Sequence, residues 1–143
     1  MATGWMQVFN TVNATILRSR WHGLISRDTM LVEFTGKKSG TTFSTPVNYV
    51  RQGNTLFFTS RTDRTWWKNL RGGVSVRVWV QGRCLTGHAY VDEEVVPVIA
   101  SLRVIVEKSP MFRRAFKITQ PSPANAELAI AAQNRLVVRV ELD

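Results

Sequence analysis

The sequence predicts a mainly β chain of the α+β class: six strands in three hairpin-like pairs, forming a small barrel with helices at its periphery. Three observations predict it. Short β-branched and aromatic runs recur between turns marked by Gly, Asn and Ser. Val74, Val76, Val78 and Val80 alternate with Ser75, Arg77, Trp79 and Gln81, the period of a half-buried strand. Strands and helices do not alternate as βαβ units, which argues against a doubly wound parallel sheet.

In chain order, Trp5, Val8, Phe9, Val12, Ile16 and Leu17 recur at three- and four-residue spacing, so an amphipathic helix is expected over residues 5–18. Such a helix packs on its own domain or, with Arg18, Arg20 and Arg27 beside it, rests on an anionic membrane. Thr29–Thr35 and Thr42–Val50 read as strands flanking the loop Gly36-Lys37-Lys38-Ser39-Gly40. Pro46 cannot donate to a ladder, so its strand is expected at an edge or a bulge. A turn at Gln52-Gly53-Asn54 leads to Thr55–Thr59. Trp66-Trp67-Lys68-Asn69-Leu70 then opens a short helix, with Thr65 or Asp63 as cap and Gly72-Gly73 as its end. The strand Val74–Val80 turns at Gln81-Gly82 into Arg83–Val91. Asp92 is placed to cap a helix from Glu93 to Lys108, with Pro97 delaying its regular part and Ser109-Pro110 stopping it. An Ala-rich helix, Asn125–Gln133, precedes a sixth strand, Arg135–Leu142, with Leu136, Val138, Val140 and Leu142 on one face.

The bulk properties narrow the function. At 143 residues the chain reads as one domain with room for a real core. A formal charge of +9 favours anionic partners: nucleic acid, anionic lipid, or a small ligand rich in phosphate and carboxylate. Cys84 is the lone cysteine, and His22 and His88 lack ligand spacing, so no metal site is expected. There is no recognisable signal peptide and no membrane-spanning apolar run, and the chain reads as cytoplasmic.

Acid–base machinery is sparse. The two histidines read as surface or packed residues, and no nucleophile–base pair stands out. A chain of this kind catalyses when a cofactor brings the reactivity. It then needs a cradle for anions and a flat apolar surface for a ring. Lys37, Lys38 and Ser39 offer ammonium and hydroxyl donors on a tight loop, which otherwise is a solvated hairpin turn. Arg61, Arg64 and Lys68 extend the positive field. Trp66 or Trp67 can wall off a planar ring, and the other belongs in the core, because neighbouring helix residues cannot face one groove. Asn69 either joins this site or bonds the local backbone.

Several short motifs occur in order: Gly36-Lys37-Lys38-Ser39-Gly40, Pro46-Val47-Asn48-Tyr49, Gly53-Asn54, Thr59-Ser60 and Trp66-Trp67-Lys68-Asn69-Leu70. Together they resemble the deazaflavin (F420)-dependent nitroreductase family, split β-barrels related to the pyridoxamine-phosphate-oxidase-like flavin-binding group. The resemblance implies a six-stranded split barrel over residues 1–143. It further implies coenzyme F420 as cofactor, with FMN as the alternative. The reaction implied is hydride transfer from the reduced ring to an acceptor such as a quinone or nitro compound. By the same resemblance, the phosphate-loop role falls on Lys37, Lys38 and Ser39. Ring contacts fall on Thr45, Pro46 and Val47 and on Thr59, Ser60 and Arg61, and the last motif on Trp66 through Leu70. Tyr49 is the candidate proton donor or substrate contact, or else a packing residue. A homodimer is implied as well.

The chain departs from the family pattern in three places. Phe43 stands where an Arg is common, Arg61-Thr62-Asp63-Arg64-Thr65 replaces a Gly-Gly and His-Pro segment, and Trp67 replaces a Tyr. Arg61 and Arg64 offer a replacement for the charge missing at position 43. Outside this family, a basic barrel that binds single-stranded nucleic acid is the competing reading; it predicts steeply salt-dependent binding.

Overall fold

A computed structural model describes residues 28–143. The helix expected over residues 5–18 lies outside the described residues. Among the described residues seven strands form one antiparallel sheet: β1 (Thr29–Thr35), β2 (Thr42–Asn48), β3 (Val50–Gln52), β4 (Thr55–Arg61), β5 (Val74–Val80), β6 (Arg83–Asp92) and β7 (Arg135–Leu142). Their order is β2-β1-β5-β6-β7-β4-β3. The expected sixfold count is corrected by one break. Thr42–Val50 is not one strand: β2 pairs with β1 as far as Asn48, and Val50–Gln52 then pairs with β4. Tyr49 N donates to Asp28 O at the crossing. A single extended run cannot lie on both edges of the sheet, so it divides where it changes partner.

Consecutive β2 and β3 therefore occupy opposite edges of the sheet. The sheet curls into a half-barrel whose seam lies between β2 and the end of β4. Pro46 sits on β2, whose outer side carries no partner strand among the described residues, which suits the missing N–H.

The strand alternation sorts the core into two layers. Met30, Val32, Phe34, Leu56, Phe58, Val76, Val78, Leu136, Val138 and Val140 point into the barrel and are buried. Phe57 and Val137, one residue out of phase, point the other way and are covered by helices. The covering set is α1 (Val95–Lys108), α2 (Pro110–Ala115) and α3 (Asn125–Ala131). Val98, Leu102, Ile105 and Val106 recur at helical spacing on α1 and are buried there. Each such side chain contributes about 1.5–3 kcal/mol when fully buried.

Three local expectations change. Asp92 does not cap α1, whose N-cap is Glu94 without a side-chain bond. Instead Asp92 is buried and accepts from Ser101 Oγ at 2.7 Å and Arg139 Nε at 2.9 Å, tying α1 to β6 and β7. Pro97 falls in the first turn of α1, where its missing N–H costs nothing. Ser109-Pro110 ends α1 but at once begins α2: Ser109 Oγ accepts from Phe112 N and Pro110 takes the first helical position.

Candidate functional site

The seam between β2 and β4 is a groove of about 330 Å³. Thr45, Pro46, Val47 and Asn48 of β2 form one wall, and Thr59, Ser60 and Arg61 at the end of β4 form the other. Trp66 and Arg64 come from the connection after β4, Phe112 from α2 and Arg135 from the start of β7. Among the described residues this gathers Thr45, Pro46, Val47, Thr59, Ser60, Arg61, Arg64 and Trp66 from the sequence-predicted set.

Trp66 is the flat surface. It is half-buried and stacks almost parallel on Phe58, with centroids 6.0 Å apart and planes at 5°. Phe34 touches it at 5.6 Å. Two core rings thus hold the indole in one plane. Trp67, on the opposite side of the turn, is buried in the barrel core, with the Arg71 guanidinium 4.9 Å from its ring centroid. The expected division of labour between the tryptophans is what the turn produces. The turn itself is a 3-10 helix, Trp66–Leu70, and Thr65 makes no side-chain cap bond. Asp63 does not cap it either; its carboxylate pairs with Arg61 Nη2 at 2.9 Å.

The loop from Gly36 to Gly40 does not line the groove. Gly40 takes φ +69°, and a Cβ on Gly36 would lie 2.9 Å from the Phe43 ring and from Ser39 Oγ, so both glycines are required by the turn. Asn69 anchors the loop. Its Oδ1 accepts from Lys37 N and its Nδ2 donates to Trp66 O, both at 3.0 Å. Lys37 Nζ is drawn to Arg71 O at 3.4 Å. Ser39 Oγ accepts from Thr41 N at 3.1 Å. Lys38 alone of the two lysines projects freely to solvent. Asn69 thus makes the backbone bonds that were one of its two expected roles, and with Lys37 it docks the loop against the tryptophan turn. Lys68 also stays off the groove, 5.9 Å from the Trp67 centroid. Phe43 is buried and stacks on Phe34 with ring centroids 5.8 Å apart, so this position serves the core.

Tyr49 is 4% exposed and packs inside the barrel; burial is the main cause that raises its phenol pKa. The structure gives it a packing place and does not open it on the groove. Cys84, read as a small strand residue, is exposed. Sequence reasoning missed Asn48, Phe112 and Arg135. Only tertiary folding brings α2 and the head of β7 to the seam, and no local pattern marked them.

The donor set of the groove has a definite character. Three guanidiniums line it, of which Arg61 pairs with Asp63; hydroxyls come from Thr45, Thr59 and Ser60; the indole supplies a plane; and β2 offers an edge without a strand partner among the described residues. This fits a planar, anionic, hydrogen-bonding ring. Among the described residues no group of three His, Cys, Asp or Glu is placed to hold a metal. No described helix is long and apolar enough to cross a membrane.

Comparison with known proteins agrees with this geometry. The family model of the F420H(2)-dependent quinone reductases matches residues 7–113. No curated protein matches the chain. Solved structures share the fold at low identity. An F420-H2 dependent reductase is 20% identical with a TM-score of 0.56, covering 80% of this chain and 95% of its own. A protein described as a domain-swapped dimer is 19% identical with a TM-score of 0.58 over 99% of this chain and 100% of its own. A putative pyridoxamine 5'-phosphate oxidase from Listeria innocua is 12% identical with a TM-score of 0.53 over 94% of each chain. The expected split barrel of the flavin-binding group is therefore the fold observed. With well over half of its length matched, this chain belongs to the F420H2-dependent quinone reductase family, oxidoreductases whose cofactor is the deazaflavin F420.

Proposed function

We propose that the chain catalyses hydride transfer from reduced F420 to a small acceptor such as a quinone or nitro compound, with the ring seated in the seam groove. The observation that carries this reading is the convergence of Thr45, Pro46 and Val47 with Trp66 and the end of β4 on one cleft, although they are distant in sequence. When bound, the cofactor supplies the hydride. The protein's part is to hold and orient. Trp66, fixed by Phe58 and Phe34, offers a rigid face. Thr59 and Ser60 offer hydroxyl donors, and Arg61 and Arg64 offer positive charge for acidic groups. Lys38 and Ser39 remain the loop's donors to a phosphate, while Lys37, Asn69, Trp67 and Lys68 support that loop and its turn.

Fluorescence titration with oxidised F420 and, separately, FMN tests the reading. F420 binding that weakens about tenfold in Trp66→Ala is expected, since an aromatic face contributes on the order of 1 kcal/mol beyond its area. FMN binding without F420 binding would move the chemistry to a flavin reductase or oxidase on the same barrel. Binding of neither would end the cofactor reading and return attention to single-stranded nucleic acid. A homodimer is part of the proposal, supported by the fold neighbour described as a domain-swapped dimer; light scattering that gave a monomer mass would remove it. Peripheral membrane contact through the residues before Arg20 is a further part, motivated by their basic amphipathic pattern. Vesicle co-sedimentation unchanged by their deletion would remove that as well.

A further inference from the structure

The charges at the inner end of the groove do not balance. Arg61 and Arg135 are direct partners in the antiparallel β4–β7 ladder, at its last register position. Like charges placed opposite each other in a ladder are destabilising. Arg61 is neutralised by Asp63, in an ion pair whose side chains are 65% and 64% exposed. Arg135 forms no ion pair with a carboxylate among the described residues. Its guanidinium lies 4.3 Å from the Phe116 ring centroid, half-buried at the groove. Burial first, and the charge of Arg61 second, lower its pKa from the ordinary value. Arg64, on the same groove, also has no carboxylate partner among the described residues.

The surrounding structure holds this cation in place. Asn134, at φ +60°, turns the chain from α3 directly into β7, and Thr62 N donates to Asn134 O, fixing the head of β7 beside the connection that carries Arg64. Phe116 closes α2, and its ring lies against the guanidinium. A planar fork whose orientation is fixed before binding suits a carboxylate or phosphate oxygen pair.

We propose that Arg135, together with Arg61 and Arg64, forms an oxyanion site within the groove, separate from the Gly36–Gly40 loop. Its ligand is a phosphate or carboxylate group, which can come from an acidic part of the cofactor or from an acidic acceptor. The three guanidiniums of the groove attract such a group whichever cofactor the chain takes.

The test compares thermal melting of the full chain in sodium phosphate and in sodium chloride at matched ionic strength. The wild type is expected to melt higher in phosphate. Arg135→Gln should lose that increment while melting in chloride no lower than the wild type, because removing the cation also removes its repulsion from Arg61. Arg135→Lys should retain only part of the increment, having the charge without the fork. Arg83→Gln, at an exposed cation on β6 outside both the groove and the loop, should keep the increment in full. A phosphate increment that survives Arg135→Gln, or that is absent from the wild type, overturns the proposal. So does an increment lost in Lys38→Ala and retained in Arg135→Gln. F420 titration of Arg135→Gln then separates the two sources. A loss of affinity of about tenfold places a cofactor acid at this site. Unchanged F420 affinity, with KM raised for a carboxylate-bearing quinone and not for a neutral one, places the acceptor there.

Discussion

At position 69 one amide bonds in two directions. Oδ1 receives the Lys37 amide and Nδ2 reaches the Trp66 carbonyl, so a single side chain fixes the distance between the basic loop and the tryptophan turn. Asn69→Asp separates this role from plain polarity, because a carboxylate keeps the acceptor but opposes the Trp66 carbonyl with a second lone pair. We expect Asn69→Asp to lose about 1–3 kcal/mol of stability, the cost of leaving a partly buried acceptor facing an unsuitable partner. Denaturant unfolding measures it, and a midpoint equal to the wild type would show that the bond carries no weight. The residue type was legible in the sequence as a backbone-bonding Asn; its partner 32 positions away was not.

Among the elements, α2 has the largest functional consequence for its size. It is six residues long, too short to be stable alone, yet it brings Phe112 to the groove and Phe116 under Arg135. What fixes its start is Ser109, buried and accepting from Phe112 N at 3.2 Å, with Pro110 pre-set for the first turn. Ser109→Ala is expected to cost about 1 kcal/mol. Thermal or urea unfolding reads that loss, and an unchanged midpoint would rule out the cap. Ser-Pro reads as a stop in sequence because it ends the preceding helix. Whether the chain restarts at once depends on Phe112 finding cover among Phe57, Leu102 and Val137, which is a tertiary condition.

Across the whole molecule, the turn that carries Trp66 is braced against the far end of β6. Arg71 and Glu93 form a two-pronged pair, with Nε to Oε2 at 2.8 Å and Nη2 to Oε1 at 2.7 Å. The bond to Arg71 is the main cause that lowers the Glu93 pKa from its ordinary 4.5. A carboxylate whose folded pKa is depressed adds stability that is complete above about pH 4.5 and is lost as pH falls through the folded value. The melting temperature of wild type should therefore exceed that of Glu93→Gln at pH 7, and the gap should narrow as pH falls below 4.5 and close below the depressed folded pKa. The gap will be small, because both side chains are more than a third exposed and solvent screens the pair. A gap that widened with acid would contradict the assignment.

The split of Thr42–Val50 belongs to the same scale. Its composition announces a strand and Pro46 announces an edge, but which edge each half joins is set by closure of the sheet. Local pattern by itself determined the β-rich class, five strands nearly to the residue, the barrel-facing side of β5 and β7, and that one of Trp66 and Trp67 belongs in the core. These are consequences of side-chain period and of turn chemistry, which act over a few residues. Only the tertiary structure decided that the Lys37 amide meets Asn69, that Tyr49 lies in the core, and that Arg135 meets Arg61 at the groove. Those depend on register and on the curl of the sheet, and contacts between residues tens of positions apart leave no periodic trace in the chain that encodes them.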